Sequence, residues 1–226
     1  MASPPNPLRD AGVPEHVLSL LDRLHAASVE QEKGLNISSL TSGEIHAATR
    51  DAFVALDQDK SQFVYQLARA INAKNIVEAG TSFGVSTIYL GLAVSANVQA
   101  SGGQGTVIAT EHEASKAGVA RKHWTEAGEG VSRHIDLRVG DLLQTLKENV
   151  PTIDMLLLDI WTPMALPTLK LIQPHLRQGA VVIIDNTISS ATRYKDLLGY
   201  LRSKDSGFTN LTIPYSNGLE LCVYSP

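Results

Sequence analysis

Cysteine is almost missing from this 226-residue chain: Cys222 stands alone and can close no disulfide within it. That count suits a reducing compartment, so a cytoplasmic setting is expected. Excess basic charge is missing too. The formal net charge is −4 and no Lys/Arg stripe runs along the chain, which disfavours a nucleic-acid partner. No apolar run nears the roughly 20 residues of a membrane-spanning helix, so no membrane association is expected. The first residues, MASPPNPLRDAGVPEH, lack the apolar core of a signal peptide. His123, His134 and His175 show no ligand spacing, which argues against zinc. What is present is an ordinary balance of 43% hydrophobic and 19% charged residues. The length suits one large domain with a substantial core. A soluble intracellular enzyme or binding domain is expected.

The organisation is read from periodicity. After a loose, Pro-rich arm, Val17, Leu20, Leu21 and Leu24 recur at helical spacing, and Pro14 suits a first helical turn. Residues 42–56 read as a short helix or turn. Residues 59–73 form an amphipathic helix with Phe63, Leu67, Ala70 and Ile71 inward. Five strand-then-helix units follow, with strands NIVEAG (75–80), TVIATE (106–111), HIDLRVG (134–140), DMLLLD (154–159) and GAVVIIDN (179–186). Residues 95–105 read as a flexible connection. FTNLTIP and GLELCVYS close the chain as a hairpin. Apolar strands alternating with helices imply an α/β fold, a parallel sheet covered by helices on both faces. Residues 1–226 are read as a single domain, with 1–56 covering the site and 57–226 as its core.

In an open α/β sheet, ligands bind beyond the carboxyl ends of the strands. There the chain offers Glu78, Gly80, Thr81, Ser82, Gly84 and Ser86 after the first strand, then Glu111 and His112, then Gly140 and Asp141. Asp159 to Thr162 follow the fourth strand, and Asp185 and Asn186 the fifth. Gly80 and Gly84 lie in EAGTSFG, which is not the G-x-G-x-x-G of dinucleotide binders; they serve either a close ligand approach or a tight turn. Glu78 would repel a pyrophosphate and suit a cationic ligand. Glu111 stands where a carboxylate receives ribose hydroxyls, and it could equally cap the next helix. Asp141 reads more readily as a helix cap than as an adenine contact. A ligand with a ribose, an adenine, a cationic amino-acid end and no diphosphate is implied; S-adenosylmethionine fits best.

With these residues in place the chain resembles the class I S-adenosylmethionine-dependent O-methyltransferases, and within them the metal-dependent, catechol O-methyltransferase-like family. The resemblance runs from about residue 57 to the C-terminus. It is carried by VEAGTSFGVST, ATEHE, RVGDLLQTL, LLLDIW and LRQGAVVIIDN, in that order. It implies a Rossmann-like, doubly wound, seven-stranded, mostly parallel sheet with an antiparallel last strand, and a homodimer. It places Glu78, Gly80, Thr81, Ser82, Gly84 and Ser86 around the methionine end of the cofactor. Glu111 would hold the ribose; His112, Gly140 and Asp141 would line the adenine side; Trp161 would lie near the cofactor. Asp159, Asp185 and Asn186 would bind a divalent cation, typically Mg²⁺, suited by hard oxygen ligands. Asp159 is thereby the catalytic candidate, and a small phenolic or catechol-like molecule the methyl acceptor.

One position departs from that pattern. Where the family places a general-base Lys, this chain has Thr162, which cannot act as a base at neutral pH. Three answers are open: the metal suffices, the acceptor is not a catechol (a hydroxylated tRNA base included), or His25, Lys33 or Lys60 reaches in from the N-terminal segment. A cofactor-binding domain without catalysis is the non-enzyme alternative.

Overall fold

Seven strands form one sheet in the order β3-β2-β1-β4-β5-β7-β6. They are β1 Asn75–Ala79, β2 Thr106–Glu111, β3 Ile135–Val139, β4 Ile153–Leu158, β5 Leu176–Asp185, β6 Phe208–Ile213 and β7 Leu219–Tyr224. The structure, a computed structural model, describes residues 5–33 and 52–226. The pairings among β1 to β5 are all parallel, whereas β7 runs antiparallel between β5 and β6. The order reverses between β1 and β4, so that junction is the topological switch point of the sheet.

Side chains alternate faces along a strand, and the strands read so. Ile76, Val107, Ala109, Met155, Leu157, Val181 and Ile183 enter one core, which is completed by the helices Glu15–Glu32, Gln58–Ala70, Val85–Ser101 and Ala114–Ala127. Val77, Ala79, Ile108, Leu156, Leu158, Val182, Ile184 and Cys222 enter the other, under the helices Thr162–Ile172 and Lys195–Leu201. With both faces buried, near-continuous apolar strands are required, and truncating one such residue to Ala costs about 2–5 kcal/mol. The same parity carries a consequence beyond the core. Two residues past Leu157 stands Asp159, and two past Ile183 stands Asp185. Both carboxylates therefore emerge on the face covered by the N-terminal helices.

Three expectations change. The connection read over 95–105 is helical as far as Ser101, since residues 95–101 prolong the helix begun at Val85. The helix Gln58–Ala70 is rotated from its expected phase: it buries Lys60, Ser61, Val64, Tyr65 and Ala68, while Phe63 and Leu67 are half-buried and Ala70 is exposed. Arg177, read as a solvated helix face, lies in β5 and pairs with Asp154 at 2.7 Å. Most of the turn or helix read over 42–56 lies outside the described residues.

Candidate active site at the strand ends

The turn after β1 is built around a buried carboxylate. Glu78 is fully buried, and its two oxygens receive hydroxyls from Thr81 (2.9 Å), Ser86 (2.6 Å) and Thr87 (2.5 Å). Burial raises its pKa, and these three hydrogen bonds pull it back. The charge expected to face a ligand thus holds the loop in shape. Gly80 (φ +96°) is required here: a Cβ would collide with the carbonyl oxygen of Asp159. That contact seats the loop on the end of β4, where the Asp159 N–H also donates to the Ala79 carbonyl. Gly84 (φ +79°) accepts from the indole of buried Trp124 at 2.9 Å and has no room for a side chain against it.

Glu111 ties the neighbouring strand to this loop. Its carboxylate accepts the Ser82 N–H (2.7 Å) and the Glu113 N–H (2.8 Å). The first bond helps hold Ser82 at φ +50°. Gly140 donates its N–H to the Glu111 carbonyl, and exposed Asp141 caps the short helix Leu142–Thr145 by accepting from Leu143 N–H. His112 is exposed, and so is Trp161. Thr162 opens the helix that follows β4. The residues named from the strand ends therefore gather along one edge of the sheet, on both sides of the switch point.

On the other side of Gly80, a lysine occupies the carboxylate cluster. Lys60, 1% exposed, places its ammonium 2.7 Å from Asp185 Oδ1 and 2.9 Å from Asp57 Oδ2. Burial opposes its charge, but the two carboxylates more than offset this and raise its pKa. Burial also raises Asp185, with Lys60 opposing. Asp159 is pushed up to about 8, first by burial and then by the charge of Asp185, with Lys60 offsetting part of this. Tyr194, nearly inaccessible, feels both aspartates, and its phenol is raised by burial and then by their charges. Sequence reading did not single out Tyr194.

Of the three candidates to replace a base at Thr162, only Lys60 reaches the cluster. Lys33 is exposed and pairs with Glu30 at 2.8 Å. His25 is buried against the Tyr89 hydroxyl at 3.0 Å, and burial lowers its pKa to about 4.

The expected metal ligands converge, with Asp185 paired inside the site. Both oxygens of Asp185 are engaged, Oδ1 by Lys60 and Oδ2 by the Asn186 side-chain amide at 2.9 Å. Asn186, left-handed at φ +64°, thus turns a donor toward its neighbour.

The comparisons agree with this placement. A model described as a methyltransferase domain matches residues 77–187, from β1 to just past β5. The chain is 31% identical over 140 residues to a catechol O-methyltransferase of Mycobacterium tuberculosis, covering 60% of this chain and 58% of that one. A catechol O-methyltransferase of Niastella koreensis gives 30% over 142 residues, 60% of this chain and 59% of that protein. The match therefore spans under two thirds of either relative. The solved O-methyltransferase TomG of Streptomyces achromogenes, involved in tomaymycin synthesis and in complex with S-adenosylmethionine, shares the fold. Its TM-score is 0.65 at 22% identity, over 91% of this chain and 99% of that one. Residues 77–187 thus match a methyltransferase domain, and the chain is similar to O-methyltransferases over about 60% of its length.

Proposed function

We propose that the chain transfers the methyl group of S-adenosylmethionine to a hydroxyl oxygen of a small hydroxylated, phenolic or catechol-like molecule. The observation that carries the reading is the seating of the Gly80 loop against Asp159 at the switch point. It puts the Gly-containing turn and Asp159 side by side. In this reading Gly80, Thr81, Ser82, Gly84 and Ser86 surround the methionine end, and buried Glu78 fixes their positions. Glu111 takes the ribose, and His112, Gly140, Asp141 and Trp161 flank the rest of the cofactor. Of the N-terminal segment expected to cover the site, residues 5–33 and 52–56 are described, and their apolar side chains join the core on that face.

The acceptor hydroxyl donates a hydrogen bond to Asp159, which aims its oxygen at the methyl carbon. The new C–O bond forms as the C–S bond breaks, and the bonding pair leaves on sulfur as neutral S-adenosylhomocysteine. The acceptor's proton passes to the ionised Asp159 carboxylate, whose pKa, raised to about 8 by burial and by Asp185, suits a base. Alignment of this kind is the main lever for an in-line displacement, since effective molarities of well-oriented reactants reach about 10⁵–10⁸ M. Mg²⁺, implied by the resemblance, would have to compete with Lys60 and Asn186 for Asp185.

Transfer of a labelled methyl group to a panel of hydroxylated aromatics, caffeic acid among them, tests the reading. Product from the native chain, reduced about 100-fold or more in Asp159→Ala, supports it. Cofactor binding with no transfer to any hydroxylated acceptor points to a binding domain without catalysis. The same result would contradict the proposal.

A further inference from the structure

We infer that Lys60 is the resident cation of this site: its ammonium, held between Asp185 and Asp57, takes the place of a divalent metal and makes the site metal-independent. The catalytic consequence rests on the proposed methyl transfer; the exclusion of metal does not.

The placement of Lys60 is unfavourable on every count except its partners. It lies in the first turn of the helix Gln58–Ala70, where the helix dipole disfavours a cation. Its side chain is 1% exposed, and an unpaired buried ammonium is costly. Yet it sits on the buried stripe with Val64 and Ala68, four and eight residues on. Only the carboxylates explain this. Asp185, 6% exposed, takes one N–H, and Asp57, at the N-cap of the same helix, takes a second. A lysine carries three N–H groups, so among the described residues a third is left for an oxygen brought beside Asp159.

A divalent ion on these carboxylates would need Asp185 Oδ1, which Lys60 holds, and would sit against a fixed positive charge. Displacing Lys60 would leave its ammonium buried among the apolar side chains of its own helix. Asp185 Oδ2 is held by Asn186. Asp185 is therefore satisfied on both oxygens from within the site. When an acceptor oxygen beside Asp159 takes on negative charge during transfer, this ammonium, whose field already reaches Asp159, is a fixed positive charge placed to stabilise it. A lysine held between two carboxylates is a positioned electrostatic group, always present and needing no loading.

The test is direct titration with Mn²⁺, read by electron paramagnetic resonance, on the native chain and on Lys60→Met and Lys60→Gln. Thermal unfolding would confirm that each variant folds. The native chain is expected to bind no stoichiometric Mn²⁺ up to about 1 mM. A folded variant is expected to bind one ion, at least about tenfold tighter, and to gain thermal stability from it. Asp185→Asn introduced into the variant should abolish that gain. One Mn²⁺ bound tightly by the native chain would overturn the inference, and so would folded variants that gain no affinity. If neither variant folds, the native titration still decides. Methyl transfer by the native chain should also persist in excess EDTA, with Lys60→Met slower by about 100-fold or more. Failure to bind S-adenosylmethionine would sink the functional reading and leave the metal arms to decide the role of Lys60.

Discussion

Lys60 and Asp185, 125 residues apart in sequence, meet at 2.7 Å beneath the N-terminal helices. The pair joins the helix Gln58–Ala70 to the end of β5, so the cover of the site and its acidic floor are one structural unit. Removing one partner is far worse than removing both. Asp185→Ala leaves the buried ammonium with Asp57 alone and should cost about 3 kcal/mol, whereas Lys60→Met with Asp185→Leu should fall within about 1–2 kcal/mol of the native chain or exceed it. Chemical denaturation of the two single variants and the double variant measures the difference.

Glu78 should matter to the loop before it matters to any ligand. Glu78→Ala removes a carboxylate that three hydroxyls share and should cost about 3 kcal/mol. Glu78→Gln, which keeps one acceptor oxygen, should recover part of that. S-adenosylmethionine affinity should fall in the same order in both, as calorimetry would show. Unchanged stability with lost binding would mean that the carboxylate acts on the ligand directly.

Two of the glycines with positive φ, Gly80 and Gly12, separate backbone strain from collision. At Gly12 (φ +75°) nothing lies within 4 Å of an added Cβ, so Gly12→Ala should cost only about 1–2 kcal/mol. At Gly80 the same change drives a Cβ into the Asp159 carbonyl. Gly80→Ala should cost several kcal/mol beyond that and weaken cofactor binding at least about tenfold. Thermal melts and calorimetry on both variants check this.

His25 should make stability depend on pH. Its folded pKa is about 4, below the ordinary 6.5, because burial beside Tyr89 disfavours the imidazolium; Asp22 and Asp57 oppose this only in part. The unfolded chain takes up this proton near pH 6.5 and the folded chain not until about 4. Stability from this residue is therefore full above about pH 7 and falls as pH drops toward 4, by on the order of 3 kcal/mol. Raised carboxylates such as Asp159 act with the opposite sign, so the quantity to measure is the native curve minus that of His25→Gln. That difference should be flat above pH 7 and slope between 6.5 and 4.

Much of this was legible in the sequence, and the parts that were not share a cause. Strand identity followed from apolar runs, and counting by two along β4 and β5 puts Asp159 and Asp185 on one face. The hairpin of β6 and β7 followed from its turn. Lys60 was legible only as one of three candidates, because reading the helix from its apolar residues alone set the phase by Phe63, Leu67, Ala70 and Ile71. The true stripe of Lys60, Val64 and Ala68, with Ser61 and Tyr65, contains a charge that pairs with a residue on a distant strand. Apolar periodicity carries no record of such a pair. Glu78 was found for its charge, but its partners Thr81, Ser86 and Thr87 become visible only when the loop closes on itself. Asp141 was read as a cap, which is how it is used.

The central claim is that the strand ends around Gly80 bind S-adenosylmethionine without help from a metal. Calorimetric titration of the native chain with S-adenosylmethionine, in excess EDTA and again with Mg²⁺, tests it most directly. One bound cofactor with the same affinity in both buffers, weakened in Gly80→Ala, is the expected result. No binding in either buffer, or binding only with Mg²⁺, would contradict it.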